Sequence, residues 1–216
     1  MFKQWTAFVL FIVLTGLAGC ASTSIALKEQ FGYAKREQLV DKVEDARDEQ
    51  TEAKEQFATT LDEFKALTDF DGGNLEKTYR KLSKELDRSE DAAGDVRKRV
   101  KDVERVANAM FREWEGELSE YANPDLRAAS EQQLADTRAS YTGLLSAMKR
   151  AEASMDPVLS AFKDQVLFLK HNLNARAIAS LETSVASLEQ DIDRLIAEME
   201  TSIAEADAFI GSLGAG

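Results

Sequence analysis

The chain has 216 residues, a formal net charge of -12, 31% charged residues and only two prolines, Pro124 and Pro157. That length makes one domain of ordinary size, and a charged, proline-poor profile rich in Ala, Glu, Lys, Leu and Arg favours long helices or a coiled coil. The acidity excludes nucleic acid, whose binding needs a basic face to displace counterions, and it excludes docking by charge on anionic lipid.

The first segment, "MFKQWTAFVLFIVLTGLAG", has one positive charge at Lys3, an apolar stretch from Trp5 to Leu14, and small residues up to Cys20. Residues 1–19 read as a cleaved secretory signal, since the apolar run falls short of the about 20 residues that a membrane span needs. Leu17-Ala18-Gly19-Cys20 resembles the lipobox of bacterial lipoproteins. The resemblance implies that the Cys20 thiol takes a diacylglyceryl group, that cleavage precedes it, and that the new amino terminus is acylated. Two or more acyl chains, at roughly 0.8 kcal/mol per buried CH₂, hold a domain on a bilayer for long periods. The alternatives are a buried structural cysteine, or an ordinary signal with a chance cysteine. Ala21 stands where an aspartate would resemble an inner-membrane retention signal, so the expected place is the outer membrane of a Gram-negative bacterium, facing the periplasm. Residues 20–32 then form the lipidated cysteine and a linker. Cys20 is the only cysteine, so no disulfide is expected.

From residue 33 to 213 apolar positions recur in alternating steps of four and three, the mark of a heptad seam. The first seam runs Leu39, Val43, Ala46, Gln50, Ala53, Phe57, Thr60, Phe64, Leu67. The second, after "DFDGGN", is Leu75, Tyr79, Leu82, Leu86, Ser89, Ala93, Val96, Val100, Val103, Ala107, Met110, Trp114. Asn123-Pro124 then supplies an N-cap and a first-turn proline. The third seam, Leu134, Thr137, Tyr141, Leu144, Met148, Ala151, Met155, Val158, Phe162, Gln165, Leu169, keeps its phase across Pro157. Asp156-Pro157 is therefore a kink within one helix, because proline removes a ladder bond without moving the stripe. The fourth seam, Ile178, Leu181, Val185, Leu188, Ile192, Leu195, Met199, Ser202, Ala206, Phe209, Leu213, is out of phase with the third. The slip falls in "KHNLNA", where Asn172 and Asn174 can make a turn. The alternative is one very long third helix.

These seams predict helices near 33–69, 74–121, 124–171 and 175–211, joined by short loops into an all-α, elongated antiparallel four-helix bundle. The second and third, about 70 Å long against about 50 to 55 Å for the outer two, should project as a hairpin ending at Asn123. Leu61, Leu145, Leu159, Phe168, Ile196 and Ile203 widen the stripe toward a four-helix core. Folding the chain at Asn123 sets position n against roughly 247 minus n. "EDAAGD" (90–95) then opposes "ASMDP" (153–157), and a bend or close helix approach is expected at Gly94.

Candidate chemistry is sparse. "DFDGGNLEK" spaces Asp69, Asp71 and Asn74 like a calcium loop, but Asn74 stands where that loop needs glycine and Arg80 where it needs a bidentate carboxylate. It is better read as an interhelix turn capped by Asn74. His171 is the only histidine and no Glu-x-x-His occurs, so neither a Ser-His-Asp triad nor a carboxylate di-metal bundle can be assembled. No metal or other cofactor is expected, and His171 is placed as a cap on the third helix. "DVRKRVKDVER" interleaves acidic residues with Val96, Val100 and Val103, which makes it a solvated helix face. At the hairpin end, Phe111, Trp114 and Tyr121 are either core or a surface that contacts a partner.

"KREQLVDKVEDARDEQTEAKEQF", "FDGGNLEKTY" and "MDPVLSAFKDQVLFLKHNLNARAI" resemble the bacterial lipoprotein family catalogued as domain of unknown function 2959, over nearly all of the chain after the signal. The resemblance implies export and helical character and brings no catalytic residues. The expected function is a non-enzymatic, lipid-anchored structural or protein-interaction module of the cell envelope, held on the membrane through Cys20 and facing an envelope protein partner. The alternative is a periplasmic carrier or sensor whose core opens to an apolar or envelope-derived ligand. The polar seam residues Gln50, Thr60, Ser89 and Gln165 motivate that alternative, although such positions also fix register.

Overall fold

A computed structural model describes residues 35–68, 75–172 and 175–214. Four helices account for almost all of them: α1 (Lys35–Thr68), α2 (Leu75–Glu117), α3 (Pro124–His171) and α4 (Ala175–Gly214). A short 3₁₀ turn, Leu118–Glu120, follows α2. These bounds fall within a few residues of the seam-based expectation. Each helix packs on its two chain neighbours, and α1 closes the ring against α4. The result is an antiparallel four-helix bundle.

The seam residues line its axis. In α1, Leu39, Val43, Ala53, Phe57 and Phe64 are fully buried, as are Val100, Val103 and Ala107 in α2, Leu144, Met148, Met155 and Phe162 in α3, and Ile192, Leu195 and Met199 in α4. Such a stripe, broken within the helices by only a few buried polar residues such as Gln50, Thr60, Ser89 and Ser202, is what drives the helices together, because their surface ion pairs each contribute little. Those pairs nevertheless record the register. Arg47–Asp207 (3.0 Å), Lys54–Glu200 (3.3 Å) and Lys65–Glu189 (2.5 Å) run down the α1–α4 seam in opposite chain directions. Tyr141 against Phe209 (6.2 Å) and Arg150 against Glu198 (3.3 Å) do the same for α3 and α4. The chain therefore reverses between α3 and α4, and the single long third helix is set aside.

Pro157 lies inside α3, which stays one helix. The ring sits on the exposed face, between buried Met155 and Val158, so the carbonyl left without its ladder bond is on the side where water can reach it.

The polar seam residues divide into two kinds. Thr60 and Ser89 lie opposite each other, with their hydroxyls 2.9 Å apart across the α1–α2 seam. Gln56 Nε2 donates to Thr60 Oγ1 (3.1 Å) and to Glu85 Oε2 (3.1 Å), and Arg88 donates to Glu85 Oε1 (2.8 Å). Burial pushes the Glu85 carboxyl up, but the hydrogen bonds from Gln56 and Arg88 outweigh it and hold the group below its ordinary value. Its contribution is therefore present above the ordinary carboxylate range and fades as pH falls through the lowered value. Gln50 and Ser202 differ: both are fully buried, and neither Gln50's amide nor Ser202's hydroxyl has a protein partner.

Three expectations need correction. Gln165 is half-buried, and Val166 takes the core position beside Leu169. The stripe steps 162, 166, 169, which turns Phe168 away from the axis and leaves it 39% exposed instead of widening the core. No close approach occurs at Gly94, which is exposed and where an added Cβ would meet nothing within 4 Å. Buried Ala93 faces the core instead.

The third correction has its cause in the turn. Glu90 faces Lys163 (3.8 Å), Arg97 faces Asp156 (2.5 Å) and Glu104 faces Lys149 (2.7 Å), about a turn and a half from the pairing expected by folding at Asn123. Helix α2 stops at Glu117, and the chain climbs through a 3₁₀ turn to extended backbone at Tyr121 and Asn123. At about 2 Å per 3₁₀ residue and about 3.3 Å per extended one, this climb adds roughly 15 Å, which α3 recovers over about ten helical residues. Gly94→Ala is thus a change of helix propensity alone. It should stabilise the protein by up to about 1 kcal/mol, read as a higher urea midpoint at unchanged m-value.

Candidate functional site

The projecting end of the α2–α3 hairpin is built by its start signal. Asn123 Oδ1 accepts from the backbone N–H of Asp125 (2.8 Å) and of Leu126 (3.3 Å), and Pro124 occupies the first helical position. Asn123→Ala should cost about 1 kcal/mol. Hydrogen exchange should find the loss at the Asp125 and Leu126 amides, with the rest of the bundle unaffected.

Behind this cap an aromatic cluster continues the core of the bundle into the hairpin. Phe111 is buried and meets Tyr141 edge-to-face at 5.4 Å. The Arg138 guanidinium lies over the Phe111 ring, 5.0 Å from its centre, and donates to Glu115 at 2.6 Å. That hydrogen bond holds the Glu115 carboxyl below its ordinary value. Trp114 is half-buried against the core, and its indole N–H donates to Ser130 Oγ at 2.8 Å. Of the three tip aromatics, then, Phe111 is core and Trp114 is largely packed, while Tyr121 is 42% exposed. Leu126, which the seam analysis passed over because it precedes the third seam, is 57% exposed beside it. Every residue from 121 to 129 is exposed.

Just below lies an open cleft of about 260 Å³ between α2 and α3, lined by Asn108, Phe111, Arg112, Arg138, Tyr141 and Thr142. Tyr141 is 8% exposed, and its hydroxyl has no protein partner. Burial, with a smaller push from Glu104, raises the phenol to about 12. Ionisation is thus disfavoured in the fold, and this contribution to stability is complete below the ordinary tyrosine value and lost as pH rises toward about 12.

Cys20 and the preceding Leu17, Ala18 and Gly19 lie outside the described residues, as do Asp69, Asp71 and Asn74 of the calcium-like loop. His171 is exposed in the last turn of α3, but the capping falls to its neighbour. The Asn172 backbone N–H donates to the Leu169 carbonyl (3.1 Å) and its side-chain amide to the Phe168 carbonyl (2.9 Å). Among the described residues no group of three His, Cys, Asp or Glu side chains could hold a metal ion, and no helix is long and apolar enough to cross a membrane.

Comparison with known proteins brings one match: the family described as "Protein of unknown function (DUF2959)" aligns with residues 25–213. The chain belongs to this family. No curated protein and no solved structure matches. The DUF2959 match covers all four helices and their connections, so the hairpin tip and the cleft are parts of the family's own domain.

Proposed function

We propose that this DUF2959 chain is a lipid-anchored, non-enzymatic helical rod that serves as a structural or protein-interaction module of the cell envelope. The observation that carries this reading is Leu17-Ala18-Gly19-Cys20, the only cysteine, placed behind a short apolar run near the head of the chain. The family match starts at residue 25, just after that motif, which supports a boundary between a processed leader and the domain it delivers. Acyl chains on Cys20 hold the bundle on the periplasmic face of the outer membrane, and Ala21 is consistent with that destination. The long, ion-paired exterior then meets an envelope protein partner.

Metabolic labelling with palmitate tests the reading. The full chain expressed in a Gram-negative host should incorporate label and sediment with outer membranes, and Cys20→Ser should abolish both. An unlabelled wild-type chain recovered in the soluble periplasmic fraction retires the proposal.

A further inference from the structure

The direction in which the bundle stands on its anchor follows from one ion pair. Lys35, the first described residue of α1, donates to Glu113 at 2.7 Å, in the last turns of α2. The chain that leads back from Lys35 to Cys20 therefore joins the bundle at the end where the α2–α3 hairpin projects. Residues 21–34 can span at most about 50 Å when fully extended. The hairpin rises roughly 20 Å beyond the level of Glu113. Whatever surface holds Cys20 is thus within reach of the tip, and the helix ends at Thr68 and His171 lie at the opposite pole.

We propose that the tip rests on the headgroup layer of the bilayer that carries Cys20, with Tyr121 and Leu126 as its contacts; this depends on the lipid-anchor reading above. These are two of the four large hydrophobic residues left exposed in the described bundle. Tyrosine suits this place, because its ring is apolar and its hydroxyl wet. Two side chains alone bind weakly, but a tether anchored in the same surface supplies the effective concentration they lack. The tip's charge selects the lipid. Among the described residues near the tip, Glu117, Glu120 and Asp125 are exposed and enter no ion pair, against one such cation, Arg112. Like-charge repulsion therefore favours zwitterionic phospholipid over an anionic surface. The contact orients the rod, and the acyl chains retain it.

The lone cysteine makes the test direct, because acylation of Cys20 leaves an introduced thiol as the only free one. Full-length acylated Ala122→Cys and Lys170→Cys chains, each labelled with bimane, are reconstituted on phosphatidylethanolamine–phosphatidylcholine vesicles carrying a headgroup nitroxide. Quenching at position 122 should exceed that at position 170 several-fold. It should fall when Tyr121→Ser and Leu126→Ser are added, with helicity by circular dichroism unchanged, and fall again with anionic lipid in the vesicles. Equal quenching at both positions, or stronger quenching at 170, overturns the proposal while leaving the anchor intact. So does a chain that floats with vesicles, is unquenched at 122, and crosslinks from that position to a protein in cells. Failure to acylate Cys20, seen separately by palmitate labelling, overturns the anchor reading and the tip contact together.

Discussion

Phe162→Ala should lower the free energy of unfolding by about 3–5 kcal/mol, the usual range for removing a fully buried aromatic ring. Phe162 is fully buried on α3, with its ring stacked 5.1 Å from Phe64 and 6.4 Å from Phe57 on α1. These helices sit diagonally across the bundle, so the three rings bridge its middle, and no single neighbour can collapse into the space left behind. Urea unfolding of the soluble bundle followed by circular dichroism checks the loss. Phe162→Leu should recover a substantial part of it, because the deficit comes from volume and stacking. A change under about 1 kcal/mol for alanine would mean that the diagonal contact is not made.

Gln50→Leu should act in the opposite direction and raise stability by about 2 kcal/mol or more. Gln50 is fully buried, and neither atom of its amide has a protein partner, so burial costs two desolvated polar groups, each worth about 1–3 kcal/mol. Leucine is close in volume and has nothing to desolvate. For a bundle of this size the gain corresponds to roughly 4–8 °C in Tm. The flanking pairs Arg47–Asp207 and Lys54–Glu200 place Gln50 and Ser202, also unpartnered, along one stretch of the α1–α4 seam. A polar residue at a seam position specifies register at a cost in stability. The variant should therefore be more stable and less faithful in pairing, which size-exclusion chromatography would detect as added oligomers. A lower Tm in Gln50→Leu would show that the amide is satisfied in solution.

The helices were legible because a heptad stripe is a repeated signal, and a seam of ten residues tolerates an odd member such as Gln50 or Ser89 without losing phase. The helix ends at Thr68 and Leu75 and the start at Pro124 were legible for a related reason, since "DFDGGN" and Asn123-Pro124 interrupt helix propensity in the sequence. The hairpin register was not, because it depends on how much height the turn gains, and that is a matter of backbone conformation at Leu118 to Asn123 rather than of composition. Gly94 misled for the same reason: its small size mattered only under a pairing that the turn displaces. At the tip, the aromatic content of "MFREWEGELSEYANPDL" gave notice of a cluster, but not which member would be left outside. Trp114 is drawn inward by Ser130, sixteen positions along the chain, a partner that no local pattern reveals.

An even number of antiparallel helices brings the last described residue back to the side where the first begins. Gly214 ends α4 near the level of Lys35, as the Phe209–Tyr141 and Arg47–Asp207 contacts require. A fluorescent protein or affinity tag fused after Gly214 would therefore crowd the pole where the hairpin ends and compete with it for space. The same tag inserted between Thr68 and Leu75 would stand at the opposite pole, more than 50 Å away by helix length, where it can report on the protein and leave the hairpin end free.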